Sequence, residues 1–322
     1  MSRWGLAARA WILACSAWIS VAPIAQAEDI QPIKLVVPVP PGATLDTTAR
    51  RIAKEWAVIA GAPVVVENRP GANTLIGADF VARAAADGRT LLYSTTSMAI
   101  APLLQKTSLS VDGVVPVIQI SAETYALAVS TSSTVTIPQD LERLAAARRE
   151  GLNCSVVPGA PELACEQLKI LLKGRSTSVP YAGAAPAVQA VVAGEADLTF
   201  APVSSLLPLV HAGRLRLVAV SSRDVLPPDM GSLPLLSMAW RGFFLEGFTG
   251  IFAPKGTPKE RMEQLNRELN AVLRAAEVRE SMRISAQIPV GGGPEHLDSE
   301  MRRMHTRYRE IIKLMGVDVT SR

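Results

Sequence analysis

The stretch Ile33-Lys34-Leu35-Val36-Val37-Pro38-Val39-Pro40-Pro41-Gly42-Ala43-Thr44-Leu45-Asp46 decides the architecture. Its first five residues read as a strand, which Pro38 ends because proline has no N–H to give a sheet ladder. Pro40-Pro41-Gly42 is a turn. Beyond it Ala49, Ile52, Ala53, Trp56 and Ile59 recur at helical spacing, which predicts a helix with one face packed inward. Strand, tight turn and helix in that order form the unit of an α/β sheet, and the unit recurs along the chain.

Working outward, Val64–Glu67 reads as a strand, Leu75–Ala86 as a helix and Thr90–Ser94 as a strand. Val114–Ile120 and Tyr125–Ser130 are two strands close together, a place for the chain to cross between lobes. Leu141–Glu150 is an amphipathic helix and Asn153–Val157 a strand. Pro161 and Gly174 frame the next helix, proline suiting a helix start and glycine its end. Val179–Tyr181, Leu198–Phe200 and Leu215–Val220 read as strands, with a helix over Pro186–Ala193 that Gly194 stops. Phe248–Ala253 reads as a strand returning to the first lobe, and helices over Pro258–Ala276, Val278–Ala286 and Pro294–Met315 close the chain. Such alternation predicts largely parallel sheets. The expected division is a leader over 1–27, a first domain over 28–128 and 247–322, and a second over 129–246.

The leader is read from Arg3 and Arg9, the apolar run Ala10–Ile24 and the small-x-small tripeptide Ala25-Gln26-Ala27, the layout of a cleavable secretory signal. A lipoprotein reading, with Ile12-Leu13-Ala14-Cys15 as cleavage box, leaves only Ala10–Ala14 between Arg9 and Cys15, too short an apolar core. The chain is therefore expected in the periplasm. The formal charge of +4 falls by two when Arg3 and Arg9 leave, and no basic tract remains, so nucleic acid is not an expected partner. No later run approaches the ~20 apolar residues of a membrane span. The remaining cysteines, Cys154 and Cys165, are either a disulfide, worth about 2–3 kcal/mol on a chain-entropy model, or two small buried apolar residues. Neither they nor His211, His296 and His305 have the spacing of a metal site.

Four strand-to-helix junctions offer places for a ligand. Gly42-Ala43-Thr44-Leu45-Asp46 would present backbone N–H groups at a helix start, a ready anion site, although an ordinary loop with Thr44 as cap accounts for it equally simply. Ser94-Thr95-Thr96-Ser97 gives four successive hydroxyls. Val157-Pro158-Gly159-Ala160-Pro161 and Tyr181-Ala182-Gly183-Ala184-Ala185-Pro186 precede two further helices. Open α/β sheets bind ligands at the carboxyl ends of their strands, where all four would lie. No His or Cys occurs in these loops, and the chain has no Gly-x-Ser-x-Gly, no phosphate loop, no His-Glu-x-x-His and no dinucleotide fingerprint. Donors and shape without a base or nucleophile describe a receptor rather than an enzyme. No cofactor is implied.

Pro38-x-Pro40-Pro41-Gly42 with Asp46 and Ala49-Arg50, Val64-Val65-Val66-Glu67-Asn68-Arg69-Pro70-Gly71-Ala72, Asp87-Gly88-x-Thr90-Leu91-Leu92, Val179-Pro180-Tyr181, Ala212-Gly213-Arg214-Leu215-Arg216 and Ala253-Pro254-x-Gly256-Thr257-Pro258 together resemble the Bug family of tripartite tricarboxylate transporter receptors. The resemblance implies an α/β, two-domain periplasmic-binding-protein (Venus flytrap) fold with two linking strands at the hinge. It implies a monomeric extracytoplasmic solute receptor that clamps a small carboxylate and works with membrane transporter subunits or, alternatively, presents the same closed form to a sensor protein. Carried onto this chain, it places Gly42, Ala43, Thr44 and Asp46 on one side of the ligand and Tyr181, Ala182 and Gly183 on the other. Ser94–Ser97 and Ser155–Gly159, including Pro158, would form the walls. The family commonly has glycine in place of Ala43, a basic residue in place of Ala182, a Thr-Ser-Gln/His stretch near Ala160–Glu162, and often Asp-Asn near Ala201–Pro202. These departures suggest a less polar distal cleft and a monocarboxylate ligand with an apolar or aromatic tail. Asp46 also suits a helix first turn whether or not a ligand is near, and Asp197 is expected to fix a turn.

Overall fold

Strand β1 (Ile33–Val37) forms where five apolar-rich residues precede Pro38, and α1 (Thr44–Ala60) follows the Pro40–Gly42 turn. Helix α1 buries Leu45, Ala49, Ile52, Ala53 and Trp56 along one face, and Gly61 ends it in the left-handed conformation that glycine adopts without strain. This computed structural model describes residues 31–104, 109, 111–222 and 232–315. The leader expected over 1–27 lies outside them.

The first lobe continues with β2 (Val64–Asn68), a 3₁₀ turn (Ala72–Thr74), α2 (Leu75–Ala82), β3 (Thr90–Thr95), α3 (Ser97–Leu104) and β4 (Val114–Glu123). One residue, Thr124, separates β4 from β5 (Tyr125–Ser130), which belongs to a different sheet. The second lobe is built from β5, α4 (Asp140–Ala147), β6 (Leu152–Val156), α5 (Ala160–Leu171), β7 (Ser176–Pro180), α6 (Ala184–Ala193), β8 (Leu198–Pro202), α7 (Val203–His211), β9 (Leu215–Val220) and the short α8 (Leu236–Ala239). The chain then returns as β10 (Gly247–Pro254) to the first sheet, followed by α9 (Lys259–Arg274), α10 (Ala276–Ile284), β11 (Gln287–Gly291) and α11 (Pro294–Leu314).

The first sheet has the order β11-β4-β10-β3-β1-β2 and the second β7-β6-β8-β5-β9. Both are mixed rather than largely parallel. The returning strand β10 runs antiparallel to β3 and β4, and β5 runs antiparallel to β8 and β9. The reason lies in the crossings. A strand that enters a sheet directly from the other lobe starts at that sheet's carboxyl edge and so runs against the strands that end there. The sheet change also falls at Thr124, four residues before the boundary expected at 128, because Tyr125–Val129 pair with β8 and not with the first sheet.

Strand directions fix where the lobes face each other. β4 runs with β1 and β3, and its carboxyl end feeds the amino end of β5, which lies beside the carboxyl ends of β8 and β9. The carboxyl ends of both sheets therefore meet at the crossings. One buried apolar cluster joins Val36, Leu92, Phe248 and Tyr308 of the first lobe to Leu127, Cys154 and Phe200 of the second. A second cluster lies under α1 and α9 and holds Trp56, whose indole N–H donates to Glu268 at 2.7 Å. Cys154 and Cys165, both fully buried, are joined in the structure as a disulfide between β6 and α5, with Cα atoms 6.1 Å apart.

Helices α3 and α7 and strand β11 had no sequence expectation. Each carries a proline, Pro102, Pro208 or Pro289, that argues locally against a regular element. Burial of Met98–Ala101 and of Val203, Leu206 and Leu207 outweighs that penalty.

Candidate functional site: the interlobe cleft

The loops after β1, β2 and β3 in the first lobe oppose those after β6 and β7 in the second. One place where they come close is Gly159. It has φ of +111°, and a β-carbon there would lie 3.4 Å from Ser97 Oγ and 4.0 Å from Asn73 Oδ1 of the other lobe. Any side chain at 159 would be strained by the backbone and would push into the gap between lobes. Gly159 also starts α5, just as Gly183 starts α6, and neither helix start has a side-chain cap.

The β1–α1 junction is locked from below. Asp46 is 2 % exposed. It accepts the Gly42 N–H at 2.9 Å, Arg50 Nε at 3.0 Å and Asn68 Nδ2 at 2.8 Å. Asn68 in turn donates to the Val39 carbonyl at 3.0 Å and accepts from Arg50 at 3.0 Å. Burial works to raise the Asp46 pKa, but the Arg50, Gly42 and Asn68 hydrogen bonds outweigh it and hold the carboxyl below the usual range. Asp46 is therefore a strut of the loop, with the Gly42 N–H, Arg50 and Asn68 as its partners. The Ala43 N–H donates to the Pro40 carbonyl at 3.3 Å. No side chain caps α1, so the first-turn N–H groups of Thr44, Leu45 and Asp46 are the donors this loop can present.

The hydroxyl run divides in the same way. Thr96 Oγ1 accepts the Phe248 N–H at 2.7 Å and the Thr96 N–H donates to the Phe248 carbonyl at 3.0 Å, which ties the loop to the returning strand. Ser94 is fully buried and its hydroxyl has no partner. Thr95 Oγ1 accepts the Ser97 N–H at 3.2 Å, and both residues stay partly exposed. Ser155 does not line the wall. It is fully buried, with its hydroxyl on the Ala187 carbonyl at 2.8 Å. Pro158 and Ala182 are exposed, and Tyr181 and Gly183 partly so. Asp197 accepts the Asn153 N–H at 2.8 Å and pairs with Arg148, so it fixes the start of β6.

The chain belongs to the tripartite tricarboxylate transporter receptor family. The model of that family, described as "Tripartite tricarboxylate transporter family receptor", matches residues 48–316. A protein from the tcbD-tcbE intergenic region of Pseudomonas sp. (strain P51) is 32% identical over 88% of this chain and 85% of its own length. Two solved structures superpose well. The periplasmic binding protein BugD has a TM-score of 0.80 and 26% identity over 89% of this chain and 98% of its own. The R. palustris protein Rpa4515 with adipate has a TM-score of 0.81 and 29% identity over 88% of this chain and 97% of its own. The fold is thus the two-domain periplasmic-binding-protein fold, and family members of this kind are solute-binding receptors.

Two features near the facing loops carry little signal in the sequence. The β2–α2 loop runs through Gly71, Ala72, Asn73 and Thr74, all with positive φ, three of them without glycine's freedom. Each such residue costs about 1 kcal/mol or more and persists only where surroundings impose it, which they often do at binding sites. Thr74 Oγ1 there is buried without a partner. An asparagine is the one cue, since its side chain tolerates the left-handed region.

The second feature is the crossing itself. Glu123, the last residue of β4, stands opposite Gly247 of β10 and Gln287 of β11. It is partly exposed, and among the described residues its carboxylate accepts one hydrogen bond, from the Tyr125 hydroxyl at 3.3 Å. No cation among the described residues pairs with it. Burial pushes its carboxyl up to about 7, against the smaller, opposing effect of the Tyr125 hydrogen bond. A β-carbon on Gly247 would fall 2.8 Å from the Tyr125 hydroxyl and 3.0 Å from Thr96 Oγ1. Tyr125 and Thr96 therefore both lie against Gly247, the residue that Glu123 faces across the strand pair, and Glu123, Tyr125 and Thr96 form one polar cluster at the crossing.

Proposed function

We propose that this chain is an extracytoplasmic receptor that traps a small carboxylate in the interlobe cleft and delivers it to membrane subunits of a tripartite tricarboxylate-type transporter. The observation that carries this reading is the opposition of two sets of strand-end loops across Gly159. It comes in a chain of a transporter receptor family, with the first-turn amides of α1 held outward by the Asp46 strut. Backbone N–H groups at a helix start favour an anion through unpaired donors and the helix dipole together. Thr44, Thr95, Ser97, Tyr181 and Gly183 border the same space, and closure of the lobes over a ligand would create the surface that membrane subunits recognise. Adipate in Rpa4515 supports a carboxylate ligand. The basic and apolar stretch over 1–27, read as a secretory leader, supports export to the periplasm.

The test is mass spectrometry of small molecules released on denaturing the mature protein, followed by thermal-shift titration of what is found. The expected result is a carboxylate that raises the melting temperature with concentration. A protein that no carboxylate stabilises would overturn the reading.

A further inference from the structure

We propose that Glu123 is a specificity-determining residue of the cleft, selecting carboxylate ligands that also carry a cationic ammonium group over plain acids and diacids. This rests on the receptor reading given above and names the ligand class within it.

The argument begins with what surrounds the carboxylate. β3 brings Tyr93, whose hydroxyl donates to Thr249 Oγ1 at 3.1 Å, while Thr249 and Ser121 share a hydrogen bond at 2.8 Å. Those hydroxyls are paired with one another. β10 offers Gly247, which has no side chain, and β11 offers Gln287, whose Oε1 accepts from Thr48 of α1 at 3.2 Å. β5 supplies Tyr125, and α11 brings Tyr308, whose hydroxyl donates to the Glu246 carbonyl at 2.8 Å. The titratable groups facing Glu123 are therefore tyrosines, and each has its pKa raised by burial. Two further acids are already answered: Asp46 by Arg50, Gly42 and Asn68, and Glu246, next to Gly247, by Arg303 at 2.6 Å.

A partly buried carboxylate with a single long hydrogen bond is costly when ionised, and no cation among the described residues offsets it. Glu123 keeps part of its surface exposed, and it stands at the carboxyl end of β4, where the strand ends of the two lobes meet. A ligand group that arrives there and carries positive charge supplies the missing partner, in a charge-assisted hydrogen bond of the stronger kind. A plain acid leaves Glu123 unpaired. A diacid sets a second anion against it unless Glu123 holds a proton. Ala43 and Ala182 lie on the loops, whereas Glu123 ends a strand.

Because the carboxyl titrates at about 7, binding of an ammonium group requires it ionised, and affinity rises with pH through that value. A group with that pKa is about one-tenth ionised at pH 6 and nine-tenths at pH 8, so the rise is about tenfold. A diacid that needs Glu123 protonated shows the opposite slope.

The experiment is calorimetric and thermal-shift titration of the mature protein at pH 6, 7 and 8 with straight-chain C3 to C8 monocarboxylates, each beside its α-amino, ω-amino and dicarboxylate counterpart. The expected result is tightest binding of an amino member, at least tenfold over its plain acid and its diacid, with about a tenfold gain from pH 6 to 8. Glu123→Gln, which keeps shape and folding, should remove both the preference and the pH slope while leaving weak plain-acid binding in place. Equal or tighter binding of the diacid, an affinity that is flat or falls with pH, or a Glu123→Gln protein that still prefers the amino member would overturn the proposal. Failure of every member to bind would instead bring down the receptor reading itself.

Discussion

Two carboxylates stand near one cleft in this molecule and live in opposite conditions. Asp46, under the start of α1, is 2 % exposed and has a backbone amide, a guanidinium and a side-chain amide around it. Glu123, at the crossing, has one tyrosine hydroxyl at 3.3 Å. The first holds a loop in shape, so its charge is already answered from within the chain. The second sits where two lobes part, and nothing within the described chain answers it. A buried acid with a complete set of partners indicates architecture, and one without them indicates a group waiting for something to bind.

Breaking the first carboxylate should give the larger effect. Asp46→Ala leaves the Gly42 N–H, the Asn68 amide and the Arg50 guanidinium short of an acceptor. Hydrogen bonds to a charged group contribute about 1.5–3 kcal/mol each at burial, less here because Arg50 is half exposed, so a loss of about 2–3 kcal/mol is expected from the urea midpoint at constant slope. Glu123→Gln should change the unliganded midpoint at pH 7 little, or raise it. If Asp46→Ala proves neutral, the strut assignment fails and Asp46 returns as a ligand candidate.

The two acids should also pull stability in opposite directions with pH. The folded pKa of Asp46 is depressed, so its contribution is present above the unfolded value of about 3.9 and is lost as pH falls through the folded one. Glu123 is raised to about 7, so the folded state binds more proton than the unfolded between about 4.3 and 7, and stability falls as pH rises across that window. Chemical unfolding of the ligand-free receptor from pH 3 to 8 should show a rise, then a decline. Glu123→Gln should flatten the decline and leave the acid limb untouched. A decline that survives the substitution would assign it to another group.

Why one of these acids was legible and the other was not follows from where their partners lie in sequence. Asp46 in the first turn after Pro40-Pro41-Gly42 reads as a helix-start acid, and its partners Gly42 and Arg50 are four residues away on either side. Only its bond to Asn68 needs the fold. Glu123 in Ser121-Ala122-Glu123-Thr124 reads as an ordinary polar strand end. What makes it unusual is Gly247 and Gln287 on two strands that arrive more than 120 residues later. The same distinction separates Thr95 and Ser97, which border the cleft, from Thr96 and Ser155, which their long-range bonds to Phe248 and Ala187 withdraw from it. Strand, turn and helix order was readable because periodicity is local. The antiparallel crossings and the left-handed run at Ala72–Thr74 were not, since the whole sheet imposes them.

The finest test of the comparison removes the one partner that Glu123 has. Tyr125→Phe deletes the hydroxyl but keeps the ring, which packs beside Gly247. At 3.3 Å the bond is long, and its net worth should be under about 1 kcal/mol. The Tyr125 hydroxyl donates to Glu123 and so favours the ionised form. Its loss should move the Glu123 titration further upward, and the pH window of declining stability should extend with it. The melting temperature at pH 5, where Glu123 is already neutral, should then stay nearly unchanged while that at pH 8 falls. Carboxyl-carbon NMR of labelled glutamate would follow the midpoint directly. A midpoint that does not move would mean that burial alone sets the acid's behaviour, and that the hydroxyl serves the ligand rather than the glutamate.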